Sequence, residues 1–542
     1  MEAQHCPSGS RHRSFAAAPA AFVFASVCLC AAAPSLAAQV VPVSDEIAVS
    51  QTDGDYESLA NIAADRNGNW GVAWQAERLD FSHPAGRQRR VLRHGEFLPG
   101  SLIDVPLQRP DLGLDGEGYG VLVGIVDRPE LGGAEIDAYC TDIQGMPASG
   151  LVRVDTGTIS PATRLPSDVR VATDSDRRSV VVWQENPRVA DVPPSIFFRR
   201  LSGYCTTLGE VGSLGAVGVV GRRQPHAAYR SDGGFVLVWV EGEQEANLHV
   251  RAQLFDDEGA VVAPAFEVAP SGRRPSHPTV AVSPTGAFAV VWKSDLAPPT
   301  SGSGTGIGAR VFAADGSPLG AELALRSSRA PNTADSAVAA VGDGFVAVWG
   351  ENGFVEEGSA VYARAFAASG PVGGEVVLNA THTDPGSVRV AALGGNEFVV
   401  VWDDLADETL PQDIVARQFV LVPPTSGCAE SSSALCLGAE RFRIGVEWRD
   451  YQGRLGTGHA YPLTSDSGLF WFFAETNLEV LVKVVDACSE FGRHWVYAAA
   501  TTDVEYTLTA IDTATGRSRR YFNSLGRRSP AINDSDAFAT CP

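Results

Sequence analysis

Three aspartates crowd one short stretch, Trp402-Asp-Asp-Leu-Ala-Asp407-Glu408, and Asp403, Asp404 and Asp407 are the chain's candidate metal ligands. Carboxylate oxygens at that density are what a calcium ion takes, although a solvated acidic loop has the same composition. Thr464-Ser-Asp466-Ser-Gly468 could orient a metal or a sugar, but these residue types are primarily turn formers. The histidines stand singly, each better read as a surface or turn residue than as a ligand. No His-Glu-x-x-His, Gly-x-Ser-x-Gly or phosphate-binding Gly-Lys-Ser/Thr occurs. Carboxylates are plentiful enough for a glycosidase pair, yet none is marked out. No catalytic residue and no organic cofactor is therefore assigned, and calcium is the one cofactor considered.

What positions these side chains is a repeated phrase. Thr279–Trp292, TVAVSPTGAFAVVW, reads as two strands around a Pro-Thr-Gly turn, because glycine tolerates the positive φ of a tight hairpin. Equivalent phrases end at Trp74, Val123, Trp183, Trp239, Trp349 and Trp402, with Val123 in the tryptophan's place in the second copy. A further half-unit follows each copy. Ile307-Gly-Ala-Arg310-Val-Phe312, for instance, runs through Asp315-Gly316 to Ala321–Leu325. Four short strands repeated at a spacing of roughly fifty residues are the pattern of propeller blades.

The ends of the array predict closure. The seventh copy stops near Leu421 with three strands, and the chain opens with an isolated fourth-strand segment, Glu46–Val49. Joining Ile47–Val49 to Ile414–Val420 would remove the open sheet edges. The expected fold is all-β: a seven-bladed β-propeller of four-stranded blades, its N-terminal strand completing the last blade, followed by a small β-sandwich. Trp74, Trp183, Trp239, Trp292, Trp349 and Trp402 would then be structural, packed between blades.

Composition narrows the classes. The chain has 542 residues, net charge −22 and only two lysines, Lys293 and Lys483. It lacks the basic face a nucleic-acid binder needs. Arg11 and Arg13 precede the apolar stretch Phe15–Ala33 and then Pro34-Ser35-Leu36-Ala37-Ala38, the layout of a secretory signal peptide. No later segment is apolar for long enough to span a bilayer, so the expected location is secreted, periplasmic or at the cell surface. Removing the signal leaves Cys140, Cys205, Cys428, Cys436, Cys488 and Cys541, an even number that suggests disulfides in an exported protein. The last four allow three pairings, of which Cys428–Cys436 with Cys488–Cys541 is one. Cys140 and Cys205 lie in the outer halves of adjacent repeats and could bridge them.

The phrases GGFVLVW, ARVFAADGSPLGAEL and GGEVVLNATHTDPGSVRVAAL resemble the propeller-type repeats of large secreted bacterial proteins, where they often stand beside calcium-binding toxin-type repeats. The likeness covers roughly residues 45–422 and implies fold and export but no reaction. The loop after the tryptophan is often rich in Asp and Gly in those relatives, and here it varies from copy to copy. Beyond the Pro423-Pro424 break, LCLGAERFRIGVEWRD, PLTSDSGLFWFF, LEVLVKVVDAC and YFNSLG resemble a C-terminal module attached to varied secreted bacterial proteins. The domains expected are a signal peptide at 1–38, the propeller at 39–422, a linker at 423–436 and the module at 437–542.

Two functions fit this organisation, and irregular, low-charge loops such as Ala297-Pro-Pro-Thr-Ser-Gly-Ser-Gly-Thr305 favour the first, non-enzymatic one. One is an exported, non-enzymatic binding or scaffold protein whose propeller loops recognise a glycan, peptide or protein. The other is a polysaccharide-acting hydrolase or lyase with carboxylates over the central channel. Charged side chains converging on the channel mouth from several blades would favour the enzyme, and a bland mouth the binder.

Overall fold

Alternating β-branched and aromatic residues between Asp- and Gly-bearing turns commit this chain to strands. The computed structural model describes residues 39–542 except 51–55, 78–84, 129–132, 156–163, 189–191, 216–219, 244–246, 271–273, 296–304, 331–332, 352–358, 380–384, 405–412, 423–427, 429, 515–516 and 542. The signal-peptide reading, Asp407 and the proline break lie outside the described residues. The protein is all-β; its one described helix is the four-residue turn Cys488–Phe491. No helix among the described residues is long and apolar enough to cross a membrane.

The strands pair antiparallel, in chain order, as separate sheets. Sheet 1 holds Tyr56–Ala64, Trp70–Glu77, Ala85–Val91 and Ile103–Val105; sheet 2 holds Gln108–Leu114, Gly120–Arg128, Gly133–Thr141 and Val152–Arg153. Sheet 3 holds Arg164–Thr173, Ser179–Pro187, Ser195–Leu201 and Thr207–Ser213; sheet 4 holds Arg222–Tyr229, Phe235–Glu241, His249–Phe255 and Val261–Ala269. Sheet 5 holds Ser276–Val282, Phe288–Asp295, Thr305–Phe312 and Leu323–Ala330; sheet 6 holds Thr333–Val341, Gly344–Glu351, Ala360–Ala367 and Gly370–Val377. Sheet 7 holds Val388–Gly394, Glu397–Asp404 and Asp413–Val422, and its outer edge is completed by Gln39–Pro42 and Ile47–Ala48 from the start of the chain. The first strand of each sheet packs on the first strand of the next, and that of sheet 7 packs on that of sheet 1.

Side chains joining consecutive sheets come from both faces of the second strands. In sheet 5, Val290 and Trp292 pack on Val236 and Val238 of sheet 4, while Ala289 and Val291 pack on Phe345, Ala347 and Trp349 of sheet 6. This is period-two alternation used in two directions, which is why these strands read as unbroken apolar runs. The six repeated tryptophans are at most 2% exposed, each in the core shared with the preceding sheet.

The second copy differs from the alignment made on Val123. Asp65 Oδ1 accepts the N–H groups of Asn67 and Asn69, and Asp115 Oδ1 those of Glu117 and Tyr119, so the two turns are equivalent. Gly120 then matches Trp70, and Gly124, rather than Val123, holds the tryptophan's place. Val123 faces sheet 3 instead. A Cβ on Gly124 would lie 2.9 Å from the Cβ of Leu107, a buried residue of the core between sheets 1 and 2, so leucine fills the space the indole occupies elsewhere.

The arginine of the third strand is a clamp. Arg199 Nη1 donates to Val154 O of the preceding sheet at 2.9 Å, Arg310 to Val268 O at 3.3 Å, Arg364 to Leu325 O at 2.7 Å and Arg417 to Leu378 O at 2.9 Å. Arg89 of sheet 1 does the same to Val49 O at 2.7 Å, and Val49 N in turn donates to Ile414 O on sheet 7. The contact between the first and last sheets is thus built from the same parts as the others.

Two further five-stranded sheets follow. One contains Ala434–Leu437, Phe442–Arg449, Leu455–Thr457, Glu505–Asp512 and Ser518–Asn523; the other contains His459–Thr464, Ser467–Trp471, Leu478–Ala487, Arg493–Ala500 and Ile532–Phe538. Their inner faces share one core, with Phe442, Ile444 and Leu508 from the first and Phe470, Val482 and Val496 from the second. Ala434–Leu437, inside the expected linker, is a paired strand whose leucines enter that core, so the module begins earlier than residue 437. The disulfides are Cys140–Cys205, between sheets 2 and 3, Cys428–Cys436 and Cys488–Cys541. The module meets sheets 1 and 7 through Arg93, which pairs with Glu397 at 3.0 Å and Glu447 at 2.8 Å, and through His94 stacked on Phe522 at 3.9 Å.

Candidate functional site

The first strands of all seven sheets line a channel of about 890 Å³. Where these strands begin, a β-bulge interrupts the pairing at the same place in sheets 1 to 5, between Ser58 and Asn61, Gln108 and Asp111, Ser167 and Arg170, Arg223 and His226, and Ser276 and Thr279. The first residue inside each bulge has positive φ: Leu59 56°, Arg109 49°, Asp168 47°, Gln224 56° and His277 49°. Non-glycine residues adopt this conformation at a cost, and five equivalent instances mark a built feature of the mouth.

The bulges are held from the neighbouring sheet. The N–H of Leu59 donates to Asp403 Oδ2 at 3.0 Å, that of Arg109 to Gln75 Oε1 at 2.6 Å, and that of Gln224 to Gln184 Oε1 at 2.9 Å. Gln75, Gln184 and Asp403 each directly follow a repeated tryptophan. Asp403 also accepts from Ala60 N at 3.3 Å and Ser387 Oγ at 2.6 Å, and burial pushes its carboxyl up to about 6 against these bonds. Asp404, the next residue of the strand, faces the opposite side and lies beside Asp413. The described part of the aspartate group therefore does not converge: Asp403 is an inter-sheet tie. The Thr464–Gly468 stretch is a hairpin turn in which Thr464 Oγ1 accepts from Asp466 N at 3.2 Å.

Just past each bulge, one register position faces the mouth. It carries Asn61, Asp111, Arg170, His226 and Thr279 in sheets 1 to 5, each paired with the residue before the tryptophan position, and Arg389 in sheet 7. Asp335 of sheet 6 joins them. Arg389 donates through Nη1 to Asp335 Oδ2 at 2.5 Å and through Nε to Asn61 Oδ1 at 3.2 Å. Asn61 Nδ2 donates to Pro110 O at 3.0 Å, Val171 N to Asp111 Oδ2 at 2.8 Å, and Val280 N to His226 Nδ1 at 3.4 Å. Each bond crosses between neighbouring sheets, so the ring is preorganised. Gln224 completes the group: its Nε2 lies 3.1 Å from His277 Nε2, and its Oε1 accepts from His277 N at 2.9 Å.

The electrostatics divide the carboxyls. Burial raises Asp111, incompletely offset by Arg170 and the Val171 N–H. Burial also works to raise Asp335, but Arg389, His277 and Arg170 outweigh it and hold that carboxyl below its usual range. His226 is pushed down to about 3 by burial and by Arg170 and Arg389, so it is neutral; burial likewise lowers His277. A small recess at the mouth is lined by Asp168, Arg170, His226, His277, Asp335 and Arg389, among others.

None of these residues was singled out by sequence reasoning. The signal was a column: Asn61, Arg170, His226, Thr279 and Arg389 each stand thirteen positions before a repeated tryptophan, polar residues of differing type in an otherwise apolar setting. Elsewhere, the one described group with metal-ligating spacing is Cys488, His494 and Cys541, whose two cysteines are bonded to each other.

No family model matches the chain, and no curated protein matches it. Among solved structures, it is similar to the polysaccharide lyase Uly1, at 9% identity over 70% of this chain and 100% of that one, with a TM-score of 0.46. It is also similar to a protein of unknown function from Dyadobacter fermentans, at 11% identity over 72% and 100%, TM-score 0.43. A third is the α-L-arabinofuranosidase Arb93A from Fusarium graminearum, at 10% identity over 71% and 98%, TM-score 0.41. Likeness of this degree assigns no chemistry to the chain.

Proposed function

We propose that this protein cleaves a polysaccharide by acid–base chemistry at the channel mouth. In this reading residues 39–422 are a closed seven-bladed propeller of the secreted bacterial repeat type, residues 434–542 are a β-sandwich module, and residues 1–38 direct export. The observation that carries the proposal is the convergence of Asp111, Arg170, His226, His277, Asp335 and Arg389 from six sheets, with burial raising the Asp111 carboxyl while Arg389, bonded to Asp335, helps hold that one down. Such a pair of carboxyls is how a glycosidase divides acid from base. Asp111, favoured in its protonated form, donates its proton to the departing glycosidic oxygen. Asp335, kept ionised by Arg389, takes the proton of the attacking water. Asn61 orients Arg389, and the neutral His226 and His277 offer hydrogen bonds to sugar hydroxyls.

Against the binder that the sequence favours, the enzyme is better supported here, because ionisable side chains from sheets 2, 3, 4, 5, 6 and 7 meet at one mouth, the arrangement set out above as favouring it. The test is a reducing-end assay of the mature protein on a panel of plant, algal and bacterial polysaccharides. Asp111→Asn and Asp335→Asn should each lower the rate by about a hundredfold or more, the usual worth of general acid–base catalysis. Cleavage that survives both substitutions, or no cleavage of any polysaccharide, refutes the proposal.

A further inference from the structure

We infer that the saccharide seated at this mouth is acidic, its carboxylate held by the Arg170 guanidinium and a neighbouring hydroxyl by Thr279. The inference rests on the mouth being the saccharide site and adds the class of sugar.

The ring of bonds around the mouth passes over two of its members. Asn61, Asp111, His226 and Arg389 each bond to an adjacent sheet. Arg170 makes no ion pair among the described residues, and its hydrogen bond runs to the carbonyl of Val169, beside it in the chain, at 3.3 Å. Asp111 and Asp335 feel its charge without pairing to it. Most of a five-donor planar fork is left to face the cavity. The second member is Thr279, 9% exposed, whose Oγ1 is buried with no hydrogen-bond partner. A buried polar atom without a protein partner is costly and is satisfied by ordered water or by a ligand. Both residues line the channel and the recess, on the same register position of sheets 3 and 5, with the neutral His226 of sheet 4 between them.

Charge decides what the pair receives. Arg389 is neutralised by Asp335 at 2.5 Å, His226 carries no charge, and burial disfavours the anionic form of Asp111. Of the two arginines lining the recess, Arg170 is thus the one that makes no ion pair among the described residues. A guanidinium fork matches the two oxygens of a carboxylate, and such charge-assisted bidentate bonds are about twice as strong as neutral ones. A uronic acid supplies the carboxylate and an adjacent hydroxyl together.

Calorimetric titration of the mature protein with oligogalacturonate, oligoglucuronate, cello-oligosaccharide and a sulfated galactan oligosaccharide tests this. At least one oligouronate should bind, more weakly as salt rises, and the cello-oligosaccharide at least about tenfold more weakly. Arg170→Gln should lose about tenfold or more in uronate affinity and Arg170→Lys less, with Thr279→Val losing several-fold. Circular dichroism checks that each variant is folded. Equal binding of neutral and acidic oligosaccharides, or uronate binding by folded Arg170→Gln at the wild-type level, overturns the inference. So does a preference for the sulfated sugar that depends on Arg170. Cleavage of neutral polysaccharides without uronate binding would sink this inference and leave the acid–base reading standing. Arg170-dependent uronate binding without cleavage of any polysaccharide would do the reverse.

Discussion

Replacing Trp292 by alanine tests the packing logic of the whole array. The indole is 1% exposed, among Val236, Val238 and Val250 of sheet 4 and Phe288 and Val290 of its own sheet. Truncating a buried tryptophan costs about 3–5 kcal/mol through lost burial and the cavity left behind. The structure adds a sharper expectation. Gly308 is the cross-strand partner of Trp292, and a Cβ at Gly308 would lie 2.5 Å from the indole Cε2. Gly308→Ala alone should therefore overpack the site, at about 1–3 kcal/mol. With alanine at 292 the added methyl meets no ring, and Gly308→Ala should become neutral or stabilising. The double-mutant cycle should thus show coupling of about 1–3 kcal/mol. Guanidinium unfolding followed by circular dichroism reads all four proteins. A Trp292→Ala variant as stable as wild type, or a Gly308→Ala penalty identical in both backgrounds, would refute the reasoning.

Other expectations follow from single contacts. Arg89→Met leaves the Val49 carbonyl without its clamp. It should cost about 1–3 kcal/mol and speed amide exchange at Val49 before other strands. Asp403 is raised from 3.8 to about 6 by burial, so it favours folding most when protonated. Its contribution should fall by at most about 3 kcal/mol as pH rises from about 4 to about 6, a trend absent from Asp403→Asn when the two are compared by urea unfolding across that range. Because Asp403 ties sheet 7 to sheet 1, added calcium should leave the melting temperature unchanged, and a calcium-dependent rise would restore the aspartates as ligands. Removing the Cys140–Cys205 bridge, which spans 65 residues, should lower stability by about 2–4 kcal/mol, measured on Cys140→Ala/Cys205→Ala by thermal unfolding.

Much of the architecture was written locally. The Asp-x-x-Gly turns, the period-two alternation and the recurrent tryptophan depend on residues within a few positions of one another, so the hairpins could be read from the chain directly. The half-unit around Ala-Arg-x-Phe was legible as a strand, but the arginine's task was not, since its carbonyl partner belongs to the previous sheet. The misplacement at Val123 has a similar cause. Tyr119 precedes Val123 by four residues as Phe288 precedes Trp292, whereas the Asp115 turn sets the register one residue later, and the leucine that fills the indole's space comes from the connection into the sheet.

By itself, the sequence determined the strands, their turns, the repeat and the cysteines available to pair. The tertiary structure decided what those parts face. One-residue bulges bring Arg170, His226 and Thr279 to the channel, the bulge of sheet 1 presents the Leu59 N–H to Asp403 across the seam, and no local pattern encodes that outcome. The pairing of Asp335 with Arg389, and Arg170 left without an ion pair among the described residues, exist because distant segments of chain line one cavity. Ionisation depends on burial and on neighbours through space, and spacing along the chain does not report either.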